Sequence, residues 1–487
     1  MNANRFKKRN PIAWISVPAW TPAWCCGWVL ASVIAPVSAD TPERNLAINA
    51  AEPASSVNAD WTRFHGTSGL GAVAGGTLHT TWTPNDYAWT ASLGGTDVGS
   101  PVTNDSMIFL LDSTQTVPAA ETSTAQTNDE NAPTGSIDLV ALDLATGKEL
   151  WRRPHPTVST KRHNRNSPAS TTPTVDRGRV FFACGDVTGA SLYAYSIEGE
   201  RLWHRALGPW AGVHGFGTSP VVIDSQLILF NSQQVDELES WQTAGESRMI
   251  SFDPATGETL WSTPLKTTRP CYGVPSVFEP APTDADPSDA DSEKRWGPQL
   301  IAANKGNGLF GLDLASGELL WSLDVFDKRC CSSPLVIGDI AVGSSGSGGG
   351  GNVLSAVRIP KQPGDAPEEV FRVTSGAPYV PTPAVKGDLM FTISDSGIAS
   401  CYDTAEGGMK KWSQRIGGNF SASPIVIGNQ LLMISLDGTA HVTSASDRRS
   451  PISEFDLGGK VGATPAIAAG RLILRVGDKL HCLPINP

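Results

Sequence analysis

One turn unit recurs along the chain and limits what it can fold into: ALDLATGKELW at 141–151, SFDPATGETLW at 251–261 and GLDLASGELLW at 311–321, with weaker copies ending at Trp203 and Trp412. The repeat is a tight turn followed by a returning strand. Asp143, Asp253 and Asp313 are placed to accept local backbone hydrogen bonds, and Gly147, Gly257 and Gly317 can take the positive φ that such a turn demands. The Trp that follows is a large apolar plate with one polar handle, suited to burial against the neighbouring repeat, so its recurrence needs no catalytic explanation.

A second unit precedes each turn, a Ser/Thr-Pro or its equivalent leading into a β-branched run, marked by Pro101, Pro173, Pro220, Pro275, Pro334, Pro383, Pro424 and Pro465. The spacings run from 41 to 72 residues, and the shortest match one four-stranded propeller blade. The excess falls in polar stretches at 113–135, 279–294 and 343–351, read as surface loops. With Gly 49 and Pro 36 and few long periodic apolar segments, the chain predicts an all-β fold, a single eight-bladed β-propeller. The last unit ends without a Trp strand. Residues Tyr87–Ala91 are expected to supply it, closing the ring by joining the two termini and hiding a sheet edge; an open solenoid is the competing topology.

Upstream of the repeats, Lys7, Lys8 and Arg9 precede an apolar, Pro-broken stretch ending in Val37-Ser38-Ala39, the pattern of a signal peptide over 1–39 with a cut before Asp40. Residues 40–59 read as a flexible linker and 60–487 as the propeller. The chain is therefore expected to be exported, periplasmic or extracellular, with no transmembrane span once the leader is removed; a retained leader would act as an anchor. The formal charge of −11 argues against a nucleic-acid partner. Of eight cysteines, Cys25 and Cys26 fall in the leader. Cys401 and Cys482 occupy the small inward position of Ala141 and read as buried free thiols.

These paired units resemble the PQQ-repeat propellers, the group that includes quinoprotein alcohol dehydrogenases and the lipoprotein scaffold of outer-membrane barrel assembly. Asp60-Trp61 through Phe64-His65-Gly66, His214-Gly215-Phe216-Gly217 and Gly417-Gly418-Asn419-Phe420 look like a subgroup of exported bacterial PQQ-like propellers. The resemblance implies two functions. One is a noncatalytic binding scaffold that holds a protein, peptide or glycan on one propeller face, with no cofactor assigned. The other is a PQQ- and calcium-dependent alcohol or sugar dehydrogenase, in which the quinone lies against a disulfide between adjacent cysteines, here Cys330-Cys331. A Cys271–Cys330 bridge between blades is the structural alternative. The calcium ligands and the carboxylate base of that second reading cannot be assigned, and no C-x-x-C-H haem motif occurs. The matches to G-x-G-x-x-G at 306–311 and 346–351 lie in strand and turn units with no helix to point at a phosphate.

In a propeller the segments before each Ser/Thr-Pro strand converge on one mouth of the axial channel. The candidate ligand-binding residues there are His163, Asn164, Arg165 and Asn166, then His214 and Phe216, then Arg269 and Tyr272. Arg329, Cys330 and Cys331 follow, with Tyr379, Asn419 and Phe420. Three Arg, two His and several rings suit an anionic or planar ligand. The competing reading is that these side chains only tie the loops together.

Overall fold

A computed structural model of the chain describes residues 60–115, 133–158, 162–238, 240, 242–280 and 295–486. The leader, the linker, most of the first insertion and the acidic stretch 281–294 lie outside the described residues.

Among the described residues the principal strands form eight sheets, each with a four-stranded blade at its centre. In every blade a short inner strand follows the marker proline directly: Val102–Thr103, Thr174–Asp176, Val221–Ile223, Ser276–Phe278, Leu335–Ile337, Ala384–Lys386, Ile425–Ile427 and Ala466–Ala468. A proline at that entry costs no ladder bond, because its missing N–H lies before the first paired residue. In blade 8 the outermost strand is Trp89–Ser92, antiparallel to Lys479–Pro484, so the N-terminal strand completes the last blade and closes the ring.

Closure is also visible at the axis. Seven hydrogen bonds run from the backbone N–H of one Ser/Thr-Pro position, or its equivalent, to the hydroxyl of the next. The chain-end link is Thr464 N–H to Ser100 Oγ at 3.0 Å. The belt is interrupted where Ser219 meets Val274, the one position of the eight without a hydroxyl.

Outside the axis the blades dock through the Trp positions. The indole N–H of Trp89 donates to Leu144 O, that of Trp151 to Ile197 O and that of Trp203 to Pro254 O, each a turn carbonyl of the next blade. A Cβ on Gly147 would meet the Trp89 ring at 2.3 Å, which explains why these turns need glycine for space as well as for positive φ. Phe371 takes the Trp role in blade 5, where it faces Gly408. Cys401 and Cys482 are buried free thiols beside the Trp412 and Trp89 positions.

Two boundaries differ from the sequence reading. Residues 113–115 and 135 belong to nine-residue strands, Met107–Gln115 and Gly135–Asp143, so this insertion extends a hairpin instead of starting as loop. Residues 343–345 end the strand Ile340–Ser345.

The segment 61–73, which precedes the repeats, crosses one end of the channel. Trp61 O accepts from Thr103 N, Thr62 O from Val175 N, Leu70 O from Val385 N and Gly71 O from Val426 N. Arg63 Nη2 donates to Pro275 O at 3.3 Å. Ala72–Val73 then pairs in parallel with Val426–Ile427. One short segment thus ties together the inner ends of five blades.

Candidate functional site

The other end of the channel opens into a well of about 560 Å3 to which every blade contributes. Phe64, carried by the crossing segment, reaches it from below, and the belt hydroxyls of Ser100, Thr172, Ser219, Ser333, Ser423 and Thr464 form part of its wall.

Ten of the fourteen sequence-predicted residues line this well: His163, Asn164, Arg165, Asn166, His214, Arg269, Tyr272, Arg329, Cys331 and Tyr379. The remaining four do not. Phe216, Cys330 and Phe420 are buried in the core between blades, and Asn419 lines a neighbouring groove. The physical reason is alternation: in extended backbone successive side chains point to opposite sides, so Cys331 faces the well while Cys330 faces the blade interface. An apolar ring such as Phe216 is better buried, and it packs edge-on against Trp210.

The three arginines are not equivalent. Arg269 pairs with Glu237 and Asp236 at the rim. Arg165 lies 3.5 Å from Asp395, an ion pair without hydrogen-bond geometry. Asp395, which the sequence reading missed, sits in the Ser394-Asp395-Ser396-Gly397 turn and accepts from the N–H of Tyr379 at 2.7 Å. Burial pushes its carboxyl up from the usual range. Arg329 donates from Nη2 to Tyr379 Oη at 2.6 Å and lies over the Tyr272 ring at 6.0 Å. Its Nη1 is buried with no hydrogen-bond partner, and among the described residues no carboxylate pairs with it. A buried guanidinium donor without an acceptor is costly.

The rest of the wall is fixed by its own hydrogen bonds. Tyr272 Oη donates to Gly215 O at 2.9 Å, and Asn166 Nδ2 donates to His214 O at 2.8 Å. The His163 and His214 rings stack with centroids 5.7 Å apart. Burial, then the charges of Arg165 and Arg329, hold the His163 imidazole below its ordinary value, so the histidine is neutral near pH 7. The glycine-rich loop contributes too. Ser347 and Gly348 line the well, and Lys328 Nζ fastens the loop by donating to Gly350 O at 2.6 Å.

The six cysteines of the described residues are free thiols. Cys330 N–H donates to Cys271 Sγ at 3.4 Å, and a hydrogen bond from the Cys330 thiol draws Cys271 down to about 7. Burial pushes Cys331 up to about 11. Neither sequence-derived pairing, Cys330–Cys331 or Cys271–Cys330, is bonded here.

A calcium–quinone centre needs clustered carboxylate and amide oxygens at the metal. No Asp or Glu is among the residues lining the well, and no group of three potential metal-ligating side chains occurs among the described residues. Asp395 stands behind the wall, committed to Tyr379 and Arg165. The two adjacent cysteines face opposite sides, so they offer no flat platform. The residues present do not fit that centre.

Eight four-stranded blades closed by a shared last blade and an axial hydroxyl belt define an eight-bladed β-propeller. Residues 131–274 and 245–359 match a family model described as outer membrane protein assembly factor BamB, and the chain belongs to the PQQ-repeat β-propellers. No curated protein matches it. Among solved structures, Sqt1 from Saccharomyces cerevisiae is similar at 9% identity and TM-score 0.51, over 85% of this chain and 100% of that one. BamB from Moraxella catarrhalis gives 13% and 0.49, over 81% and 96%. Quinohemoprotein alcohol dehydrogenase from Comamonas testosteroni gives 14% and 0.42, over 87% and 80%. At such identities the likeness is one of fold. No helix among the described residues is long and apolar enough to cross a membrane.

Proposed function

We propose that this chain is an exported, noncatalytic propeller that binds its ligand or partner at the open end of the channel and uses the closed ring as a rigid mount. The observation that carries this reading is the asymmetry of the well wall: it is lined by arginine, histidine, asparagine and tyrosine side chains, with Arg329 Nη1 buried and unpartnered, and among the described residues no carboxylate lines it. Such a wall is equipped to hold an electron-rich group by charge-assisted hydrogen bonds and stacking. Among the described residues it lacks the paired base and metal donors that oxidation of an alcohol on a quinone would require. The signal-peptide pattern over 1–39 supports export, and the matched family, described as an outer membrane protein assembly factor, is compatible with a scaffold role.

The test is a titration of the purified mature chain with PQQ and excess Ca2+, following Trp fluorescence and dye-linked alcohol oxidation together. The expected result is no turnover at any PQQ concentration. Saturable quenching with turnover that disappears in Cys330→Ser and Cys331→Ser would overturn the reading and make the chain a quinoprotein dehydrogenase.

A further inference from the structure

The well is not isolated. Beside it, over blades 7, 8, 1 and 2, lies a groove of about 1040 Å3, and the two cavities share Val98, Asn164, Arg165, Asn166 and Gly462 as a common wall. A ligand held in the well can therefore continue over that wall into the groove without leaving the protein surface.

The two parts differ in chemistry. The well carries the cations described above and, among the described residues, no lining carboxylate. The groove mixes both signs and many neutral hydrogen-bonding groups: Asp437, Asp478 and Lys460 line it, as do Asn164 and Asn419. Asn164, Asn419, Asp437, Lys460 and Asp478 are all exposed. Its apolar side chains are few, chiefly Val98, Pro168 and Leu436. Peptide grooves that read side chains through apolar anchors need apolar pockets, and apolar side chains are few in this lining; acidic-peptide recognition by arginines is left to the test below. A uniformly anionic chain would meet Asp437 and Asp478. A hydroxyl is both donor and acceptor, and it is matched by amides, carboxylates and an ammonium set side by side.

We infer that well and groove form one continuous site for an acidic oligosaccharide, with a carboxylate of the sugar on Arg329 in the well and neutral hydroxyl-bearing rings along Asn164, Asn419 and Lys460. The inference rests on the binding role proposed above and adds the class of ligand. Arg329 lines the well with its buried Nη1 unpartnered, Tyr272 and Tyr379 hold the guanidinium in place, and the exposed His163 ring lines the same well. The site involves no covalent step.

Calorimetric titration of the mature chain with three probes tests this: 3′-sialyllactose, which carries one carboxylate at one end of two neutral rings, neutral maltotriose and hexaglutamate. Sialyllactose is expected to bind saturably, maltotriose at least tenfold more weakly, and hexaglutamate more weakly than either. Arg329→Met is expected to bring sialyllactose down to the level of maltotriose, while Asn164→Ala with Lys460→Ala weakens both sugars by a similar factor. Arg329→Lys, which keeps the charge and loses the fork, gives an intermediate value, and far-UV circular dichroism with thermal unfolding shows that each variant is folded. Hexaglutamate binding as tight as sialyllactose would overturn the inference in favour of an acidic peptide. So would equal affinity for the two sugars, indifference to both sets of substitutions, or no binding of any probe. None of these outcomes touches the noncatalytic reading, which fails on PQQ-dependent turnover alone.

Discussion

The two ends of the axial channel are built from the same repeated strands and have been finished in opposite ways. At the crossed end the segment 61–73 delivers its carbonyls to inner-strand N–H groups, buries Trp61 and sets both ring nitrogens of His65 beside backbone oxygens of Gly69 and Pro424. At the open end a buried arginine nitrogen has no partner and His163 and Asn164 are exposed. Both ends carry one buried arginine nitrogen without a partner, Arg63 Nε and Arg329 Nη1. What differs is the backbone: the crossing segment is bonded to five blades and encloses Arg63, which burial pulls down to about 10, whereas the open end leaves polar side chains exposed, so one end holds the ring and the other is accessible to a ligand.

If the crossed end is structural, its largest side chain should dominate stability. Trp61→Ala is expected to cost about 3–5 kcal/mol, the usual range for emptying a buried aromatic site. Urea unfolding measures it, and titration of the folded fraction should give unchanged affinity at the open end. A loss of affinity without a loss of stability would invert the assignment of the two ends.

Acid should attack the crossed end next. His65 has one N–H in its neutral form, so only one of its two carbonyl neighbours receives a hydrogen bond. Burial outweighs the pull of those carbonyls and holds the imidazole down at about 4. Its folded value lies below the ordinary 6.5, so between the two the unfolded chain binds the proton that the folded chain refuses. Stability from this residue is complete above about pH 6.5 and falls as the pH drops toward 4, by at most about 3 kcal/mol. His155 and His441 are also held low by burial and act in the same direction. Urea midpoints measured from pH 7 to pH 4.5 should fall steadily. His65→Asn, chosen because Asn tolerates the positive φ at this position, should begin lower at pH 7 and fall less.

How far these two ends could be read from sequence follows from what repeats. The Trp turns, the eight marker prolines and the closing strand near Trp89 recur or complete a recurrence, and each was legible. The convergence of His163, Arg269, Arg329 and Tyr379 was legible too, because it follows from blade topology. Which neighbour faces inward was not. Cys330 and Cys331 differ by one position in a loop whose parity no repeat fixes, and between His214 and Phe216 the positive φ of Gly215 breaks the alternation. The crossing segment was visible as Trp61 through Gly66 but carried no role, since it lies outside the repeat and its partners are carbonyls and amides. Asp395 was hidden for a related reason: an acid in a Ser-Asp-Ser-Gly turn looks like any other turn residue until Arg165 is brought to it by the fold.

At the open end, Arg329→Met should separate binding from folding. The arginine gives up one hydrogen bond to Tyr379 and its position over Tyr272, and it takes an unsatisfied nitrogen out of the wall. These contributions oppose each other, so the expected change in stability is within about 1 kcal/mol in either direction. Thermal unfolding checks it, and a large loss would mean that Arg329 serves the ring as Trp61 does.

The smallest effect is expected at the interruption in the hydroxyl belt, where the two ends meet. Val274 is buried and stands where the other blades carry Ser or Thr, so the N–H of Ser219 faces a methyl group in place of a hydroxyl. Val274→Thr has the same shape and completes the belt. Hydroxyl burial costs something, and the new bond from Ser219 N–H with the satisfied hydroxyl returns it, leaving a net gain of roughly 0–1 kcal/mol. The measurement is the urea midpoint of this variant against the parent, together with amide exchange at Ser219. Slower exchange with unchanged or higher stability is the expected pair. Faster exchange with lower stability would mean that the belt is deliberately open at blade 4, beside Tyr272, and that the well wall depends on freedom there.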